Sequence, residues 1–215
     1  MTPEQKEYIK ENIDLIENNE WEEFFLHAPE CMGEPLHLAD IDFMSHMTYL
    51  PKNLFCNSPH IIKISIPENI TNINHGAFED CINLTDIQFP NGLQSIGNFA
   101  FARCAKLQHI IIPNSVTSIG SDAFKGCRHL KTVTILGNIT KIEPFTFFYC
   151  TELSSITIPN TLRSIDSSAF SVCDNLRDII FNGTKKELKL VDLPIDWIDH
   201  TVTIKCLDGD YVYTP

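Results

Sequence analysis

The chain has 215 residues, 43% hydrophobic and 20% charged, the balance of a globular protein long enough for one substantial domain or two small ones. Its formal net charge is −12, and residues 1–50 carry most of it, with twelve acidic and two basic side chains. No basic stripe is present to neutralise phosphates, which argues against nucleic acid as a partner. No apolar run nears the roughly 20 residues that span a bilayer, which argues against membrane insertion.

Residues 1–50 are expected to form an acidic helical cap that merges into a degenerate repeat. Thr2 can cap a helix with Pro3 at its first position. Tyr8, Ile9, Ile13 and Ile16 then form an apolar stripe at helical spacing, and a second short helix is expected over residues 21–26. Leu38, Ile41, Phe43, Met47 and Leu50 follow, each one step ahead of an apolar row described below. The first residues show no basic stretch followed by an apolar core. With Met1 as the natural start, the cytoplasm is therefore the expected compartment.

From residue 51 to 181 one period governs the chain. Cys81, Cys104, Cys127, Cys150 and Cys173 recur every 23 residues. Phe78, Phe101, Phe124, Phe147 and Phe170 keep the same step, which Phe55 extends backward, and so do Leu84, Leu107, Leu130, Leu153 and Leu176. Two aliphatic rows two residues apart follow, Ile64 to Ile179 and Ile66 to Phe181. After a row of prolines (Pro67, Pro90, Pro113, Pro159) come two more, Ile70 to Leu162 and Ile73 to Ile165.

Alternation in L-x-x-I-x-I turns one strand face inward and leaves the residues between on the surface. Each unit is too small to bury its own apolar face, so neighbours must stack, and a period of 20–29 built on this motif is that of a leucine-rich-repeat solenoid. Proline after the strand cannot donate to the ladder and ends it. Gly97 and Gly120 are expected where the turn needs unusual backbone angles. The fourth unit departs from the pattern, with Leu136 in place of proline and Glu143-Pro144 in the turn where the second and third units have Ile-Gly (Gly97 and Gly120), so its turn is expected to bend differently.

The pattern C-x-x-L-x-x-I-x-I-P-x-x-[LV]-x-x-I-x-x-x-A-F-x-x-C resembles the BspA-like, or treponemal-type, leucine-rich repeats, over residues 54–181 in six units. The resemblance implies an α/β leucine-rich-repeat solenoid, strand-rich with short helical or irregular segments. Residues 182–215, with "FNGTKKEL" and "TVTIKCLDGDYVY", are similar to the closing segment of such proteins. They are expected to form a C-terminal cap, a β-hairpin turning at Asp208-Gly209. Family members are commonly exported surface proteins.

The cysteine ladder is read as core. In-register side chains point the same way, with β-carbons wider apart than disulfide geometry prefers. A linear array does not converge on a metal, and free Cys packs as a compact hydrophobe. Cys31, Cys56 and Cys206 fall off the period. His27, Cys31, His37 and His46 are the clustered metal-type residues outside the repeats, but a helix joining His27 to Cys31 would have to cross Pro29. No phosphate loop, dinucleotide fingerprint or nucleophile elbow occurs. Neither a cofactor nor an enzymatic activity is therefore expected.

What remains is the exposed strand face: Lys63 and Ser65, Asp86 and Gln88, His109 and Ile111, Thr132 and Thr134, Ser155 and Thr157, Asp178 and Ile180. Solenoids use such surfaces for partners, and Ile111 and Ile180 are apolar where solvent is expected. The reading is a non-enzymatic module that binds a protein partner through this face. Two alternatives stand beside it. One is an intracellular inhibitor or decoy whose acidic cap engages a basic protein; the other is an exported surface or adhesion protein.

Overall fold

The structure, a computed structural model, describes residues 47–194 and 198–214, the strand Leu36–His37, and Glu7 and Glu11. The expected N-terminal helices, Leu38, Ile41 and Phe43, and the side chains of His27, Cys31, His37 and His46 lie outside the described residues.

Each repeat makes one coil with three sides. The first side is a strand, and the strands stack in parallel: β1 (Leu36–His37), β3 (Lys63–Ser65), β5 (Asp86–Gln88), β7 (His109–Ile112), β9 (Thr132–Ile135), β11 (Ser155–Pro159) and β13 (Asp178–Asn182). The second side is a two-residue strand: β2 (Tyr49–Leu50), β4 (Asn72–Ile73), β6 (Ser95–Ile96), β8 (Ser118–Ile119), β10 (Lys141–Ile142) and β12 (Ser164–Ile165). The third is a run of tight turns ending at the periodic cysteine. Register follows the 23-residue period, with Ile64 beside Ile87, Ile110 beside Val133 and Ile156 beside Ile179.

The apolar rows fill the space between the three sides. Phe55, Phe78, Phe101, Phe124, Phe147 and Phe170 stack face to face, with ring centroids 5.1–5.6 Å apart and exposures of 0–3%. This wall lies behind the turns, because A-F-x-x-C points its ring inward at each coil. Every periodic thiol is buried beside it and donates to the carbonyl of the phenylalanine 26 residues earlier: Cys81 to Phe55, Cys104 to Phe78, Cys127 to Phe101, Cys150 to Phe124 and Cys173 to Phe147, at 3.0–3.2 Å. Cys56 and Cys206 are half-buried, and none of the five ladder thiols is in a disulfide. Burial pushes Cys127 and Cys173 up to about 12 and raises Cys81, Cys104 and Cys150 as well.

Several sequence expectations are corrected. Gly97 and Gly120 do not adopt positive φ. They are glycine because the neighbouring coil passes too close: a Cβ at Gly97 would sit 2.8 Å from Asn74 C and His75 N, and one at Gly120 2.5 Å from Asn98 N. The left-handed residues lie instead in the tight turns, in five coils as a pair four apart, such as Phe99 and Arg103, Asp122 and Gly126, and Phe145 and Tyr149, and in the next coil as Val172 alone. At the front, Ile64 pairs with Leu36, so the 23-residue step of the later coils does not hold at that strand. The first unit lacks the Pro and Cys landmarks, so nothing in it fixes the usual spacing between its two strands. The strand β11 includes Pro159 as its last paired residue, a position where the missing N–H costs nothing to the ladder.

At the other end a four-residue helix, α1 (Lys185–Leu188), opens with a capping box between Thr184 and Glu187. The strands β14 (Val202–Cys206) and β15 (Gly209–Tyr213) form the closing hairpin, β14 parallel to β13 and β15 antiparallel to β14. Its turn is Leu207-Asp208, one residue earlier than expected, and Gly209 opens β15 at φ 115°.

The stack is interrupted twice among the described residues. On the long-strand side the ladder stops between β5 and β7, giving separate three- and six-stranded sheets. On the short-strand side it stops between β8 and β10. That second break falls in the fourth unit, where Leu136 and Glu143-Pro144 depart from the pattern. The left-handed turn residue Phe145 is kept there (φ 57°, as in Phe99), so the departure alters the strand pairing and leaves the turn itself unchanged.

Candidate exposed strand face

Period-2 alternation puts the candidate residues in two outward rows. One runs Lys63–Asp86, then His109–Thr132–Ser155–Asp178, reaching Thr203 of β14 and Val212 of β15. The other runs Ser65–Gln88, then Ile111–Thr134–Thr157–Ile180, reaching Lys205. Lys63, Asp86, Gln88, His109, Ile111 and Ile180 are exposed, while Thr132, Thr134, Ser155, Thr157 and Asp178 are half-buried by their neighbours.

Polar groups in these rows pair across coils. Lys63 Nζ lies 3.0 Å from Asp86 Oδ2, and that hydrogen bond holds the Asp86 carboxyl below its usual range. Ser65 Oγ donates to Gln88 Oε1 at 3.2 Å. His109 Nδ1 is 2.8 Å from Thr132 Oγ1, and Lys205 Nζ is 2.9 Å from Asp178 Oδ1. The charged pairs balance, so the face is close to electrically neutral. Ile111 breaks the polar pattern at 64% exposure, against 38% for Ile180.

The β5/β7 interruption crosses the middle of this face. Ile87 and Phe89 point inward, yet both are half-buried, whereas their counterparts Ile64, Ile66, Ile110 and Ile112 are 0–4% exposed. The Phe89 ring meets Phe101 edge-on, 5.7 Å between centroids. Sequence reasoning did not find this opening: Phe89 departs from the isoleucines of its row, but so does Phe181, which is buried.

A second surface, on the turn side, was also missed. An open groove of about 330 Å³ is lined by Ile82, Arg103, Lys125, Arg128, Phe148 and Tyr149 among others. Lys125 Nζ sits 5.5–5.9 Å from the ring centres of Phe99, Phe145 and Phe148 and 2.9 Å from Asp122 Oδ1. Arg103 reaches Glu79 at 2.7 Å and also pairs with Asp80, while Arg128 covers Tyr149. These cations are already held by the protein's own carboxylates and rings. Among the described residues no group of three or more His, Cys, Asp or Glu could hold a metal ion, and no helix is long and apolar enough to cross a membrane.

Comparison with solved structures finds the same architecture. A T. pallidum leucine-rich-repeat protein (TpLRR) is 31% identical over 60% of this chain and 60% of its own, with a TM-score of 0.58. The pneumococcal vaccine antigen PcpA is 22% identical over 75% of this chain and 41% of its own, with a TM-score of 0.60. A leucine-rich cell surface protein of Faecalibacterium prausnitzii is 24% identical over 74% and 34%, with a TM-score of 0.52. The chain thus spans 60% of the length of the first of these proteins and under half of the other two, and the two less similar ones speak for the fold alone. Comparison with curated proteins gives no match. The BspA type Leucine rich repeat region matches in six copies over residues 30–121 and 71–190, the stretch that holds the stacked phenylalanines and cysteines. The chain belongs to the BspA-type leucine-rich-repeat family.

Proposed function

We propose that this protein is a binding module that holds a protein partner on its exposed strand face, centred on Ile111 and His109 with Asp86 and Gln88 beside them. The observation that carries this reading is an isoleucine at 64% exposure whose neighbours on the face are mostly polar and paired with one another, beside half-buried Ile87 and Phe89. An apolar centre with a polar surround is the anatomy of protein interfaces, and a rigid stacked sheet loses little conformational entropy on binding. Recognition, and not catalysis, is the activity inferred. Cytoplasmic placement belongs to the proposal as well, supported by ladder thiols that carry no disulfide, as a reducing compartment keeps them; cell fractionation tests it.

Ile111→Asp should abolish partner binding to the full chain while leaving its melting curve unchanged. The rival surface is the acidic stretch of residues 1–50. A partner held there would dissociate on raising salt, because surface charges are screened beyond about 8 Å at physiological ionic strength. Normal binding by Ile111→Asp together with release by salt alone would sink the strand-face reading.

A further inference from the structure

The interruption between β5 and β7 leaves main-chain groups without partners in the middle of the strand face. In the other coils the residue that begins the strand donates its amide to the coil before: Thr85 to Ile62 at 2.8 Å, Lys131 to Gln108 at 2.8 Å, Ser154 to Lys131 at 3.0 Å and Arg177 to Ser154 at 3.1 Å. Gln108, the equivalent residue at the seam, makes no such bond to Thr85. At the far end, Ile66 donates its amide to Gln88 at 2.9 Å, but Phe89 does not donate to Ile111. Among the described residues the amides of Gln108 and Phe89 and the carbonyl of Thr85 therefore have no hydrogen-bond partner. The turn side stays joined at the same level: Phe78 N meets Ala100 O at 2.8 Å, and Phe78 and Phe101 stack at 5.1 Å. The coils are thus parted on one side only.

The break between β8 and β10 supplies the contrast. Its inward residues Ile119, Ile139 and Ile142 are 1–2% exposed, so it opens no path to the core. Of the two breaks, only the β5/β7 seam combines unpaired main chain with accessible apolar groups.

We propose that this seam receives an extended peptide segment of a partner protein, resting on the strand-face reading above. The segment lies along the strands. Its carbonyls accept from Gln108 N and Phe89 N, one of its amides donates to Thr85 O, and one large aliphatic or aromatic side chain covers Ile87, Phe89 and Ile111. From Thr85 to Phe89 is four residues, about 13 Å of strand, which a segment of four or five extended residues spans. Main-chain bonds supply affinity and the side-chain pocket supplies selectivity, as in other strand-recognition modes. The face is nearly neutral, so the segment need carry no net charge.

The test is a phage-displayed random decapeptide library panned against the immobilised full chain, with amide exchange followed by NMR. In the free protein, Gln108 and Phe89 amides should exchange at least tenfold faster than Lys131 and Ser154. Enriched peptides should share a large apolar residue, slow exchange at both amides, and lose at least tenfold in affinity when N-methylated on either side of that residue or when tested on Ile111→Asp. Protection of Gln108 and Phe89 in the free protein equal to that of Lys131 overturns the proposal, as does a library that yields no binder. Binders lost on Ile111→Asp but indifferent to N-methylation overturn the seam and leave the strand-face reading standing. Binders indifferent to both overturn the seam, and a native partner that ignores Ile111→Asp overturns the strand-face reading too.

Discussion

The two breaks in the strand ladders look alike on paper and differ in consequence. Between β8 and β10 the paired strands are only two residues long, and the residues behind them stay sealed by the aliphatic rows. Between β5 and β7 the break lies on the broad side of the coil, and Ile87 and Phe89 become accessible through it. A solenoid tolerates lost lateral hydrogen bonds wherever side chains still close the core. Where they do not, the same loss creates a surface. Behind both breaks the phenylalanine wall is continuous, and it holds the coils together.

The wall gives the largest test of that comparison. Phe124 is fully buried between Phe101 and Phe147, level with the β8/β10 break. Phe124→Ala should cost about 3–5 kcal/mol in denaturant melts, and nearest-neighbour coupling should spread the damage to adjacent coils. A loss under about 1 kcal/mol would mean that the long-strand ladder from β7 to β9, and not the wall, carries the stack there.

Close approach of neighbouring coils is tested next. Gly120→Ala places a methyl group 2.5 Å from Asn98 N and 2.7 Å from Gly97 C, main-chain atoms that cannot swing away, and should cost about 2–3 kcal/mol. Gly92→Ala meets nothing nearer than 3.8 Å and should be neutral or stabilising by about 0.4–1 kcal/mol. Equal effects at the two glycines would refute the account of why Gly97 and Gly120 are glycine.

The thiol ladder offers a smaller effect with a pH signature. Cys127→Ala removes a buried group and its bond to Phe101 O, at about 1–2 kcal/mol. The folded protein raises Cys127 from 9.0 to about 12, so the neutral thiol is favoured by folding. That contribution is present in full below pH 9 and disappears as pH rises through 12. Unfolding midpoints should therefore fall on the alkaline side, and less steeply in Cys127→Ala. Thiol labelling of the folded protein should reach Cys56 and Cys206 before any member of the ladder; rapid labelling of Cys127 would contradict its burial.

The smallest expected change is at Ile111, where replacement by Asp should alter stability by no more than about 0.5 kcal/mol. A larger loss would show that Ile111 helps to hold β7 in place, and its exposure would then be no argument for a partner.

Much of the fold was legible because identical residues 23 apart must occupy identical places once coils stack. Phe124 and Cys127 could be placed in the core from spacing alone. The strand face was legible as a set of outward residues, since alternation leaves Asp86, His109 and Ile111 no other side. The left-handed turn residues were less so, although Asn53, Asn57, Asp80, Asp122, Gly76 and Gly126 hint at them, being the residue types that accept that conformation. Phe99, Phe145 and Tyr149 hide it, because there the coil above and below dictates the backbone against residue preference.

What the sequence by itself determined is thus the period, the inward rows, the buried thiols and the family, all of which follow from local pattern repeated in register. The tertiary structure alone decided which coils join fully, why Gly97 and Gly120 are glycine, and that Leu36 stands beside Ile64. Each of these depends on the distance between one coil and the next, summed over three sides of the solenoid, and no single repeat encodes that distance.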